Sequence, residues 1–152
     1  MILTLISLIT FLRIDAKPYP YEFVPGENGR VNIYIAVKNP DVRLYSLPPF
    51  KIYIKEKDSL NFSKDFYTAF DLKAIKEKEN QKSKPMKALP PLTIPFVVDE
   101  NAAPGLHQVN CEIEYLVCSR NREWCMKTRQ PFSFSFKVKS YVKRRKSKTK
   151  GL

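Results

Sequence analysis

Apolar and polar side chains alternate along this chain with a period of two, which predicts strands and not helices. Over 109–117, Val109, Cys111, Ile113, Tyr115 and Val117 fall on one face, with Asn110, Glu112 and Glu114 on the other. Further on, Phe132, Phe134, Phe136 and Val138 share a face opposite Ser133, Ser135 and Lys137. Strands are predicted over 31–38, 50–55, 92–98, 107–118 and 131–139, with an edge segment around 19–24. Turn signals punctuate them: Pro25-Gly26-Glu27-Asn28-Gly29, Asn39-Pro40-Asp41, Pro48-Pro49, Pro90-Pro91 and Ala103-Pro104-Gly105. Short strands at this spacing, without intervening helices, predict an all-β, immunoglobulin-like two-sheet antiparallel β-sandwich. Residues 58–87 break the pattern. They are polar and Lys-rich, carry a predicted helical turn at Phe66–Ile75, and read as a long insertion or lid.

The two ends differ from this body. Residues 2–12 (ILTLISLITFL) form an apolar and hydroxyl run with the length of a signal-peptide core, too short for a comfortable membrane span. Cleavage after Ala16 would divide the chain into a signal peptide (1–16), one domain (17–140) and a basic tail (141–152). A basic stretch before the apolar run is missing, so a buried first strand or an uncleaved anchor is the competing interpretation. Export predicts a periplasmic or otherwise extracytoplasmic location, where disulfides persist.

Charge adds a second theme. The chain has 27 Lys and Arg against 15 Asp and Glu, a net +12, and six of the positives lie in the acid-free tail VKRRKSKTKGL. Such a tail either merely solvates the end of the chain or binds polyanions, on an exported protein an anionic membrane surface or envelope polymer through residues 143–150. Nucleic-acid binding is disfavoured, because no aromatic–basic motif of a known binding module is present.

The chemistry-bearing residues are few. Cys118 and Cys125 flank a short polar turn in EYLVCSRNREWCMKT, between two alternating runs, which predicts an antiparallel hairpin with the thiols across from each other and within disulfide reach. Closing so short a loop stabilises the chain by roughly 2–3 kcal/mol, a modest staple. Cys111 shares a face with Val109 and Ile113 and reads as a buried free thiol. A zinc site from His107, Cys111, Cys118 and Cys125 fails on geometry: strand spacing sets His107 about 13 Å from Cys111, and Cys111 about 23 Å from Cys118. His107 has no partner Ser or acid at a recognisable spacing, and with only 4 Gly the chain has no phosphate-cradling loop. No metal or cofactor is expected.

The run from Ala103 to Val138, A-P-G-x-H…E-Y-x-V-C…W-C…F-x-V, resembles the carboxyl half of the amino-terminal domain of the bacterial thiol:disulfide interchange protein DsbD and the related disulfide bond corrector domains. VKNPDVRLYSLPPFKIYI is similar to an earlier strand pair of that family. The resemblance covers about 24–139, and its specific part is the cysteine hairpin. It implies an immunoglobulin-like sandwich whose last hairpin carries a redox pair, here Cys118 and Cys125, with Tyr45 as an aromatic packing beside it. The family's shielding loop should precede the strand at 92–98, where no motif aligns; Phe66, Tyr67 and Phe70 are the candidate shielding aromatics. Arg120 and Arg122 stand where the family more often has acidic or small residues.

Exchange would proceed through a mixed disulfide. Arg120, Arg122 and Lys127 would favour a thiolate, and Trp124 would cover the sulfurs or offer a flat docking surface. Electrons would pass to or from a separate thioredoxin-like or membrane electron-transfer protein. The alternative is a non-catalytic immunoglobulin-like binding or structural module stapled by the same bond, with its basic tail on anionic surfaces.

Overall fold

Each alternating run forms a strand, and the strands assemble into two sheets with their apolar faces together. The structure, a computed structural model, describes residues 10–75, 82–86 and 89–140. In chain order the strands are β1 (Leu12–Tyr19), β2 (Glu22–Phe23), β3 (Asn28–Val37), β4 (Val42–Leu44), β5 (Lys51–Glu56), β6 (Leu60–Asn61), β7 (Phe66–Thr68), β8 (Leu92–Val98), β9 (Gly105–Ser119) and β10 (Cys125–Val138). One sheet has the order β1-β3-β8-β6. The other runs β2-β10-β9-β5-β7, with β4 beside β5 along the same edge of β9. Every pairing is antiparallel except the short parallel contact of β2 with the end of β10. The expected all-β sandwich is what the chain forms.

Alternation selects the core as predicted. Val109, Ile113, Tyr115, Val117, Phe134, Phe136 and Val138, with Ile52 of the same sheet, are buried between the sheets, against Val31, Ile33, Leu92 and Ile94 from the facing strands. Phe23, Phe96 and Phe136 meet at centroid distances of 5.4–6.5 Å and fill one end. Gly29 sits against this cluster. A Cβ there would lie 2.7 Å from Phe23 Cζ and 2.8 Å from Phe96 Cε1, so the rings occupy the space a side chain needs.

Two regions differ from the sequence expectation. The first strand begins at Leu12 and not near Tyr19, because Leu12, Ile14 and Ala16 alternate inward with Arg13, Asp15 and Lys17 outward, and the whole stretch pairs with β3. A cut after Ala16 would remove five of the eight residues of β1; residues 1–9 of the apolar run lie outside the described residues. Gln130 of β10 fixes this strand across the sandwich. Its Nε2 donates to the Leu12 carbonyl (2.7 Å), its Oε1 accepts from the Leu12 N–H (3.3 Å), and the Tyr115 hydroxyl donates to the same Oε1 (2.9 Å).

The expected helical turn at Phe66–Ile75 begins as β7 and only then coils. Tyr67 and Ala69 are drawn into the core, and the backbone then turns through bonds from Leu72 N to Thr68 O and from Ala74 N to Ala69 O. Leu60, Tyr67 and Ala69 make this part of the insertion core-packed. Residues 76–81 and 87–88 of the insertion lie outside the described residues.

Candidate functional site

The hairpin of β9 and β10 sets Cys118 directly opposite Cys125 at a Cα separation of 4.0 Å, and the two form a disulfide. The turn is closed locally. Ser119 N donates to the Trp124 carbonyl (2.9 Å), Trp124 N to Ser119 Oγ (3.2 Å), and Arg122 N to the Ser119 carbonyl (2.8 Å). Arg122 takes a left-handed conformation (φ 58°), the sharp reversal a five-residue connection requires.

Parity along the strands assigns the faces. The odd positions of β9 enter the core, so Cys118 lies on the outer face with Glu112, Glu114 and Leu116. Its register partners share that face: Arg43 of β4 on one side and Cys125 on the other. The two sulfur-bearing residues are nevertheless unlike. Cys118 is completely buried (0% exposed), whereas Cys125, at the start of the outer strand, is exposed. The bond is therefore less covered on the Cys125 side.

Tyr45 lies one register step beyond β4 on the cystine's face, buried, with its N–H on the Leu116 carbonyl (3.0 Å) and the Arg122 guanidinium 4.7 Å above its ring. Segment 82–86 runs along the far side of β4. Met86 N donates to the Leu44 carbonyl, Ser46 N to the Lys84 carbonyl, and Pro85 bridges to Tyr45. The neighbourhood of the cystine is therefore flanked by Tyr45 and residues 82–86.

Phe66 and Tyr67, expected with Phe70 to shield it, do not. They pair with Tyr53 and Ile52 of β5, which pair with Glu112 and Ile113. That is six residues, about 20 Å, along β9 from Cys118. The physical reason is register: β7 adds to the outer edge of β5, where Phe66 packs on Tyr53 (5.8 Å) and Tyr67 enters the core. Trp124 does not cover the sulfurs either. It stands on the opposite face of the strand, 42% exposed, against Phe11 (6.0 Å between centroids).

The three basic residues expected near the pair divide. Arg122 is stacked on Tyr45, and Arg120 is exposed with its backbone N–H on the Asp41 carbonyl. Lys127, two positions from Cys125 on the same face, turns its ammonium to Glu114 (3.3 Å). Arg129 binds Glu114 (2.8 Å) and Glu112 (3.2 Å). Burial alone would raise the Glu114 carboxyl, but the bonds and attraction of Lys127 and Arg129 outweigh it and hold the pKa below the ordinary glutamate range. A cleft of about 240 Å³ opens beside this group, lined by Pro48, Pro49, Lys51, Glu114, Leu116 and Lys127.

Sequence reasoning missed Glu114, Arg129, Arg43 and segment 82–86. Glu114 and Arg129 could have been found as diagonal cross-strand partners once the hairpin register was fixed. Arg43 and residues 82–86 depend on which strand lies next to β9.

Cys111 faces the core at 3% exposure, where burial pushes its thiol up to about 12. His107, without a visible partner in sequence, has one in space. Its Nδ1 lies 2.9 Å from Asp58 Oδ1 and its Nε2 2.6 Å from the Ala103 carbonyl, and the ring stacks on Phe136 (5.1 Å). Both nitrogens are taken up in holding two loops together.

No family model matches the chain, and no curated protein matches it. Among solved structures it is similar to a Corynebacterium diphtheriae chain described as "Putative membrane anchored protein", at 13% identity and a TM-score of 0.48. The match covers 85% of this chain and 36% of that one, so this chain spans about a third of the neighbour's length. At that score the likeness decides neither fold relationship nor function.

Proposed function

We propose that this chain is an exported thiol–disulfide exchange domain that passes electrons to or from disulfides of envelope proteins through Cys118 and Cys125. One observation carries this: the cystine spans an exposed and a fully covered residue at the tip of a hairpin, so only one sulfur is offered to a partner. In the reduced chain the Cys125 thiolate attacks a partner disulfide, forming a mixed disulfide and expelling the partner's first thiolate. The Cys118 thiolate then attacks Cys125 Sγ, restoring the internal bond and releasing the partner's second thiolate. Two electrons go to the partner, with the two protons of the original thiols, and the reverse sequence oxidises a partner dithiol. Arg120 and Arg122 add positive charge at the tip, which supports the thiolate form. Electrons are exchanged with a separate thioredoxin-like or membrane electron-transfer protein, and the 143–150 tail binds anionic membrane surface. Fixed roles follow from the exposure: Cys125 attacks and Cys118 resolves.

The alternative is a non-catalytic module in which the bond only staples the hairpin. It is favoured by the pairing of Lys127 and Arg129 with Glu114 and not with sulfur. Trapping separates the two readings. A Cys118→Ser variant should accumulate a mixed disulfide through Cys125, whereas Cys125→Ser, left with a covered thiol, should accumulate far less. A relay couple should fall at roughly −120 to −270 mV and a structural cystine below about −300 mV. A potential below that limit, with no trapped species in either variant, would sink the exchange reading.

A further inference from the structure

Among the described residues, none pairs with the main-chain groups on the outer edge of β10 beside the exposed Cys125. Tyr45 N donates to the Leu116 carbonyl, so Leu116 directs its backbone toward β4 and away from β10. Leu116 and Lys127 are therefore a non-hydrogen-bonded pair of the β9–β10 ladder. The bond from Ser119 N to the Trp124 carbonyl gives the same phase, making Cys118 and Cys125 the next such pair. In these pairs the N–H and C=O of the β10 residue point outward. Cys125, Lys127 and Arg129 thus present three donors and three acceptors along the edge, and Pro131 ends the run because it has no N–H.

The far end of the strand shows what such an edge does. Lys137 N and Lys139 N, of the same parity, donate to Tyr21 and Phe23 carbonyls, where β2 is added as a strand. Between Cys125 and Ser135 no strand of the described residues pairs with this edge. Cys125, Met126, Lys127 and Arg129 are all exposed there. An unpaired edge of this kind is a template for an incoming extended segment.

Charge chooses among occupants. The side chains nearest solvent on this stretch are Lys127 (59% exposed) and Arg129 (55%), while their partners Glu112 and Glu114 are mostly covered on β9 (23% and 11%). Arg120 and Arg122 extend the positive rim around the tip, and Glu123 is the exposed acid among them. Two copies joined edge to edge would set Lys127 and Arg129 against their own kind, which is destabilising across strands. An acidic segment has no such cost.

Resting on the exchange function proposed above, we infer that the Cys125–Arg129 edge receives an extended acidic segment of the redox partner as an added strand, which carries the partner's sulfur to Cys125. Main-chain bonds then supply affinity without demanding one sequence, and the rim selects for negative charge.

The experiment uses the full chain in its oxidised form and an eight-residue peptide alternating Glu and Val, with Ser where the cysteine would stand. Amide hydrogen exchange is followed by NMR. The amides of Cys125, Lys127 and Arg129 should slow by about tenfold or more at saturating peptide. They should not respond to the same peptide N-methylated at alternate residues, or to one with Lys for Glu. The inference is overturned if the three amides do not slow, or slow equally with the Lys peptide. It is also overturned if they are already protected in the free chain, which would mean that the chain's own residues or, if dilution removes the protection, a second copy fills the edge. Exchange of the cystine with glutathione is measured on the same sample. Exchange without peptide protection removes the edge proposal and leaves the exchange function standing; protection without exchange does the reverse.

Discussion

Replacing Gln130 by Leu keeps the bulk of the side chain and removes its hydrogen-bonding groups. Three polar groups then lose a partner: the Leu12 N–H, the Leu12 carbonyl and the Tyr115 hydroxyl. Gln130 is 6% exposed, Leu12 and Tyr115 1% each, so water does not take over freely. Orphaning a buried polar group costs about 1–3 kcal/mol, which gives a sum of roughly 3–9 kcal/mol. The sum is an upper bound, because Phe11 beside them is only half-buried and the site relaxes toward solvent. We expect a loss of about 2–4 kcal/mol, a large part of the stability of an ordinary domain. Urea unfolding followed by far-UV circular dichroism measures it as a lower midpoint at an unchanged slope. Tyr115→Phe alone should cost about 1 kcal/mol, and less in the Gln130→Leu background, where only the long bond from the Phe11 N–H (3.4 Å) is left to the hydroxyl. A loss under about 1 kcal/mol for Gln130→Leu would show that β1 is not held by this clamp.

The Asp58–His107 contact predicts a pH dependence. Burial disfavours the charged His107 ring, but its bond to Asp58, its bond to the Ala103 carbonyl and the attraction of Asp58 outweigh that and raise its pKa. Its stabilisation is therefore complete below about pH 6.5 and lost as pH rises through the higher folded value. Burial likewise raises Asp58, yet His107 and the Gln108 N–H bring it below its ordinary value, so that contribution disappears only at more acid pH. His107→Ala should accordingly destabilise more at pH 5.5 than at pH 8.5, read from urea midpoints; equal losses at both would exclude the charged pair. Cys111, with its thiol near 12, should resist iodoacetamide at pH 8 until denaturant is added, while Cys125 in the reduced chain reacts at once; mass spectrometry of the labelled peptides decides. Gly29→Ala should cost about 1–3 kcal/mol because the Phe23 and Phe96 rings must move, and an unchanged midpoint would show that they move freely.

Most of the strand content was legible because alternation is local. β8 occupies the predicted span, 92–98, and the inward residues of β9 and the apolar face of β10 are those that the period of two selects. The hairpin cystine was legible for the same reason, since two adjacent strands and a short polar turn fix their own register. Where an apolar run admitted two interpretations, local pattern was not enough. Leu12–Ala16 could follow the apolar run of a leader up to its cleavage point or open a strand by their alternation, and pairing with β3 together with the Gln130 bonds places them in the sandwich.

By itself the sequence determined an all-β domain, its inward residues and a pair of sulfurs across a turn. Only the tertiary structure decided which of those sulfurs is reachable, what flanks them and where Phe66, Tyr67 and Phe70 go. Periodicity tells which face of a strand is apolar, but not which strand becomes its neighbour. That choice depends on contacts between residues far apart in the chain, such as Arg43 with Cys118 and Leu12 with Gln130. It buries Cys118 between β4 and β10 while leaving Cys125 on an edge, and so makes two chemically identical residues unequal.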